Sequence, residues 1–373
     1  MPPTIAQQRG FAYAPIPFAV ISFFSSSYVI YYLLIKERQK LERLYHRLIL
    51  AMNFALLPLT STYIWSTFAV PEGTPDYVGA AGSIATCTAQ GFIGLMLQGT
   101  VPFYYGSLSL QAFMGIKNKF QEEKYTWIEY PIHLFAWCFP AAGAINVALT
   151  ENFNPSGSGC SMAKAPHGCE ADPDILCERG DDIYTLEYII GLFIPFLYFV
   201  FPPFVAVSMY CWIKKIGNKV HRCRGMQQIR ENVRKQMMRR IAIQISLYLF
   251  SFWFTFVPTS IAFVVKIMTG KSLYNLMIFA NCIFALQGFI MAVVYFSLPR
   301  LGTYTLEGVP TTTPGLRDDR LTCVRDIREG ANEKKTPDPP LTDDMRESYT
   351  FNIFDGVPDE DSPWAQFFDE DDE

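Results

Sequence analysis

Long apolar runs separated by short charged ones set the pattern of this chain. A helix needs about 20 mostly apolar residues to cross a hydrocarbon core of about 30 Å. Seven stretches meet that requirement: Ile16–Ile35, Leu48–Val70, Ser83–Ile116, Tyr130–Thr150, Tyr184–Ile213, Ile241–Met268 and Tyr274–Leu298. Lipid offers no water to stray backbone groups, so such runs must close their hydrogen bonds internally as helices. They are too long and continuous for barrel strands. The third, fifth and sixth are long enough to tilt or protrude. Seven runs with almost no charge also count against buried helices of a soluble protein. The expected fold class is an all-α membrane protein, a seven-transmembrane helix bundle.

Lysine and arginine in the short loops orient the bundle. Five lie between spans one and two (Lys36, Arg38, Lys40, Arg43, Arg47), three between spans three and four, and ten from Lys214 to Arg240. The opposite side carries only five, counting Lys266 at the outer end of span six, so the N-terminus is expected outside and the C-terminus in the cytoplasm. No cleavage-like pattern precedes the first run, which predicts a retained span. From Pro299 onward the pattern ends, with 8 Lys/Arg against 19 Asp/Glu and recurrent proline. That composition predicts a disordered cytoplasmic tail. The organisation is therefore a short extracellular N-terminus (1–15), a membrane domain (16–300) and an acidic tail (301–373). The global charge of −4 hides −11 in the tail and +7 elsewhere.

Of nine cysteines, Cys87, Cys160, Cys169 and Cys177 fall on the outer side. An even number in an oxidising compartment predicts two disulfides. Three pairings are possible, of which Cys87–Cys160 with Cys169–Cys177 is favoured. Their spacing with His167 matches no zinc pattern. The loop after span four also carries Glu151, Glu170, Asp172, Asp174, Glu178, Asp181 and Asp182, either solvated or a collar for cationic ligands.

Within the spans, no acid or base lies at mid-membrane, which argues against a proton-coupled pump. The seventh span contains no lysine, which excludes a retinal Schiff base there. Polar side chains at helical spacing nominate Gln90, Gln98, Tyr63, Glu187 and Asn281 as ligand contacts. Interhelical hydrogen bonding is the plainer reading of the same residues. Pro258, following Phe252-Trp253-Phe254, is a candidate hinge. Four scattered histidines and no paired carboxylates in the spans provide no catalytic constellation. The expectation is a non-enzyme with no cofactor and no nucleic-acid partner.

On the inner side, Met226, Ile229, Val233 and Met237 recur at helical spacing with basic residues off that stripe. This predicts an amphipathic extension of span six, attracted to anionic lipid or offering a surface to a cytoplasmic partner.

Several motifs resemble cyclic-AMP-receptor-like and secretin-like seven-transmembrane G-protein-coupled receptors. They are Leu286-Gln287-Gly288-Phe289 with Val294-Tyr295-Phe296 and Pro299-Arg300, Leu44-Tyr45-His46-Arg47, Cys87 with Gln90-Gly91-Phe92, and Cys177-Glu178-Arg179-Gly180. The resemblance covers residues 16–300. It implies a plasma-membrane receptor that passes an extracellular, small-molecule signal to a heterotrimeric G protein by rearranging its bundle. Trp253, Pro258, Gln287, Gly288 and Tyr295 would form the switch. His46, Arg47, Lys117, Arg234, Arg239 and Arg240 would face the G protein. The chain departs from the pattern at the end of span three, which reads Ser107-Leu108-Ser109-Leu110-Gln111 without the acid that secretin-like receptors place there. A seven-helix transporter or channel is the alternative.

The opposed charges of the tail (−11) and the Lys214–Arg240 loop (+9) predict that the tail folds back and tempers partner access. Truncation after Arg300 is expected to raise G-protein coupling in cells. Unchanged basal and stimulated coupling would remove the idea.

Overall fold

The computed structural model describes residues 3–118, 121–166, 169, 176–180, 200, 204, 207–208, 243, 246–262, 264–265, 268–269 and 273–302. The chain divides into two units, Met1–Ser208 with Ile245–Phe296, and Met209–Gln244 with Ser297–Glu373. The second unit falls almost wholly outside the described residues, as do the expected fifth span, the basic loop and the acidic tail. The first unit is described here.

Its described residues are mostly helical. The chain opens with α1 (Ile5–Tyr13), α2 (Pro15–Tyr31), α3 (Leu44–Trp65), α4 (Ile84–Lys117) and α5 (Glu129–Leu149). A hairpin follows, β1 (Phe153–Ser156) paired antiparallel with β2 (Gly159–Met162). Beyond it stand α6 (Ser246–Ala262), α7 (Tyr274–Ala285) and α8 (Gln287–Gly302). Helix α2 packs on α3 and α7, α3 on α4, and α4 on α5 and the hairpin.

The N-terminus is helical rather than a loose lead-in. Thr4 caps α1 reciprocally: Gln7 N–H donates to the Thr4 hydroxyl at 3.3 Å, and Thr4 N–H donates to Gln7 Oε1 at 2.9 Å. Ala14 keeps helical angles, and Pro15 then starts α2, where its missing N–H costs nothing. Phe11 and Ala12 are buried. Helix α3 begins four residues before the apolar run, because Leu44–Arg47 are helical and largely buried despite their polarity.

Among the described residues, three stretches are long and apolar enough to cross a membrane: Ile5–Lys36, Leu44–Ala69 and Thr126–Leu149. Helix α4, at 34 residues, reaches about 51 Å at 1.5 Å per residue. Gln90, Gln98 and Gln111 are spaced along it. Helix α6 is apolar but shorter.

The expected seventh span is not one straight helix. It bends by 44° between α7 and α8. The cause is local. Gly288 N–H donates to the Ser22 hydroxyl of α2 at 2.7 Å, and a side chain inserted into a helix ladder bends the helix. Leu286 N–H still closes α7 on Cys282 and Ile283, and Ile290 N–H on Leu286 carries the helical ladder across into α8. Gly288 also allows close approach: a Cβ there would press on the Ser22 and Ser26 hydroxyls. Above and below this point rings also meet, with Phe11 of α1 against Tyr274 of α7, and Tyr32, just past α2, against Phe296 of α8.

Two glycine substitutions should therefore differ in sign. Gly288→Ala is expected to destabilise by about 1–3 kcal/mol through overpacking. Gly94→Ala has open space within 4 Å of the new Cβ, and should stabilise by up to about 1 kcal/mol through helix propensity. Thermal unfolding of the two variants beside wild type checks both.

Candidate functional site

The end of the unit that carries the disulfides is closed by the hairpin. Cys87 at the start of α4 bridges Cys160 of β2, with Cα atoms 5.2 Å apart. Cys169 pairs with Cys177, Cα atoms 5.3 Å apart. Of the three pairings left open by the sequence, this is the one formed. Gln90, one turn below Cys87, is fully used. Its amide nitrogen donates to Thr62 O and Ser66 O, both at 2.8 Å, and its oxygen accepts Cys160 N–H at 2.9 Å. Thr62 lies in the last turn of α3, where its carbonyl also accepts Ser66 N–H, and Ser66 directly follows the helix. Gln90 thus ties the end of α3 to the hairpin. Phe153 lies over Gly91, where any Cβ would collide with its ring.

The hairpin tip is gripped as well. Asn281 of α7 donates to the Ser158 hydroxyl at 3.1 Å. The Ser66 hydroxyl donates to Ala12 O at 2.7 Å and lies 3.4 Å from Ser158 O. Of the residues nominated for ligand contact, Gln90 and Asn281 hold the hairpin. Gln98 and Tyr63 pair deeper, at 3.5 Å. Glu187 lies outside the described residues.

At the opposite end, the segment Leu44-Tyr45-His46-Arg47 ties four separate parts together. Leu44 N–H, an orphan donor at the start of α3, is taken by Glu122 Oε2 at 3.2 Å. The Tyr45 hydroxyl shares a short hydrogen bond with Tyr248 of α6. His46 Nδ1 and the Tyr295 hydroxyl of α8 are 3.2 Å apart. Arg47 forms a bidentate pair with Glu129 of α5, Nε to Oε1 at 2.7 Å and a terminal nitrogen to Oε2 at 2.9 Å. The other terminal nitrogen donates to Leu41 O at 3.0 Å and Glu42 O at 2.6 Å.

Successive residues can reach four directions because each step around a helix turns by about 100°. His46 is 2% exposed and Tyr45 7%, so these polar groups were buried for their partners and not for water. Arg47 suits the Glu129 carboxylate because its planar fork matches two oxygens at once. A second set extends the ties to α4: the Tyr104 hydroxyl meets His133 Nδ1 at 2.9 Å and accepts Trp137 Nε1–H at 2.9 Å. In the connection before α5, burial and then the Glu122 charge push the Tyr125 phenol well above its ordinary value, so it stays protonated.

Glu129 and His133 stand out in the sequence as rare polar residues at the start of α5, but nothing there pairs Glu129 with Arg47. The Tyr45–Tyr248 bond has no sequence signal, since tyrosine is common on all the helices.

The remaining nominated residues are placed unevenly. Tyr295 and Gln287 are buried, and Gly288 sits at the break. Trp253 faces outward at 39% exposure, and the buried ring beside it is Phe252. Phe252 packs against Tyr105, centroids 5.6 Å apart. Pro258 is half-buried on α6, and Lys117 is exposed at the end of α4. Arg234, Arg239 and Arg240 lie outside the described residues. Among the described residues no three His, Cys, Asp or Glu side chains gather as a metal site.

No protein-family model matches this chain, and no curated protein matches it. Its function is therefore argued from its own geometry.

The tyrosine tie can be measured. Tyr45→Phe and Tyr248→Phe should each destabilise by about 1–3 kcal/mol, because each leaves a buried hydroxyl short of a partner. The double variant should cost less than the sum. Chemical denaturation of the four proteins completes the cycle, and strict additivity would show that the bond contributes nothing.

Proposed function

We propose that this chain is a seven-transmembrane receptor of the cyclic-AMP-receptor-like or secretin-like type. In this reading it sits in the plasma membrane with the disulfide end outside, and couples a small extracellular ligand to a heterotrimeric G protein. The observation that carries it is the set of ties made by Leu44–Arg47. A helix bundle whose inner ends are held by a few polar bonds has two arrangements available, tied and spread. A ligand that favours the spread state shifts the population without new chemistry.

The division between the two ends supports this. At the hairpin end the polar groups hold a cap, which a ligand must share or displace. At the other end they hold α3 to α5, α6 and α8, the helices whose separation would open a groove to a cytoplasmic partner. The acid that secretin-like receptors carry at the end of span three is missing, and here the Arg47–Glu129 and Tyr45–Tyr248 bonds supply the ties instead. The bend between α7 and α8 favours a second reading, since discontinuous helices also build transporter sites.

His46→Ala removes the tie to Tyr295. A hydrogen bond worth about 0.5–1.5 kcal/mol corresponds to roughly a 2–10-fold change in the spread-to-tied ratio. Basal G-protein dissociation in cells should rise accordingly at matched surface expression. It should vanish when the Lys214–Arg240 charges are neutralised in the same background. If neither protein signals through any G protein, while purified wild type moves solute across vesicles, the transporter reading replaces this one.

A further inference from the structure

Gln287 opens α8 immediately after the break, and it is fully buried. Neither its amide oxygen nor its amide nitrogen finds a hydrogen-bond partner among the described residues. The Tyr105 hydroxyl of α4 lies close enough to sense the amide without reaching hydrogen-bond geometry. That hydroxyl is 3.4 Å from Ser251 Oγ of α6, longer than a well-formed hydroxyl bond. Gln287 and Ser251 have no exposed surface, and Tyr105 is 3% exposed. On the α2 side, the buried Ser26 hydroxyl facing Gly288 also lacks a partner among the described residues.

A buried amide that has given up water and received nothing in return is costly, and native structures rarely keep one. Here three helices bring one amide and two hydroxyls to the same point. The amide offers two N–H donors and an acceptor oxygen, and each hydroxyl can donate or accept. Two to four such partners are what an internal water requires. The converging groups are all neutral, which suits water and gives a cation no countercharge.

We propose that ordered water binds at the junction of Gln287, Tyr105 and Ser251, beside the break between α7 and α8. The direct bond from Gly288 N–H to Ser22 holds the break itself, and the water would satisfy the polar groups next to it. The site rests on packing and unpaired polar atoms, and does not depend on the receptor reading.

The test is pulsed hydroxyl-radical labelling of the full-length protein in lipid nanodiscs, in which radicals formed from bound water mark buried neighbours. Tyr105 and Tyr248 are a matched pair, each 3% exposed, but the Tyr248 hydroxyl is held by Tyr45. Tyr105 is expected to label several-fold faster than Tyr248. Gln287→Met should remove that excess and lower the thermal midpoint. Equal labelling of the two tyrosines overturns the proposal, and so does a raised midpoint in Gln287→Met, the result for a dry, unpaired amide. Loss of the excess when sodium is replaced by choline would overturn water in favour of a bound cation. If Gln287→Met does not fold, the wild-type labelling ratio decides alone.

Discussion

Where water is excluded, a helix end with unpaired backbone groups must borrow partners from elsewhere, at a cost of about 1–3 kcal/mol for each one left unmade. Much of this structure follows from how that debt is met. Gln90 of α4 reaches the Thr62 and Ser66 carbonyls where α3 ends. Glu122 serves the first N–H of α3. Ser22 of α2 takes the amide freed at the α7–α8 break. In each case the partner comes from another element, so satisfying one helix end also fixes where its neighbour stands. Capping and tertiary packing are here the same set of bonds.

The consequence is a difference between the two ends of the unit. At the disulfide end, Gln90 and Asn281 hold a hairpin, and the Cys87–Cys160 bridge makes that hold covalent. At the other end every tie from Leu44–Arg47 is non-covalent and between side chains or a side chain and backbone. Bonds worth about a kilocalorie each can be exchanged by binding energy of ordinary size. A disulfide cannot. The geometry therefore suits a molecule whose cap is fixed and whose opposite end rearranges.

The apolar runs were legible as helices because length and hydropathy are local properties, and α2 to α8 fall largely on them, whereas α1 precedes the first run. Helix α4 at Ile84–Lys117 matches the expected Ser83–Ile116 closely, and α5 at Glu129–Leu149 matches Tyr130–Thr150. The start of α3 was read too late, because Tyr45, His46 and Arg47 look like loop residues until their partners are known. The bend at Leu286 was written only as Gln-Gly in a continuous apolar run. Nothing local says that a serine from 266 residues earlier will take the Gly288 amide. Gln90, nominated for ligand contact or interhelical hydrogen bonding, is bonded in the structure to Thr62 O, Ser66 O and Cys160 N–H.

By itself the sequence indicated the long apolar segments, the cysteines available for pairing and where charge collects, since each of these depends on composition over a short window. Only the tertiary structure decided which of three disulfide pairings forms. It alone showed that Leu44–Arg47 is a hub rather than a loop, that Trp253 faces outward while Phe252 is buried, and that the buried Gln287 amide makes no well-formed hydrogen bond among the described residues. Those outcomes depend on the rotation of each helix about its axis. Hydropathy barely constrains that rotation when every face of a helix is apolar, and the few polar contacts between distant segments settle it.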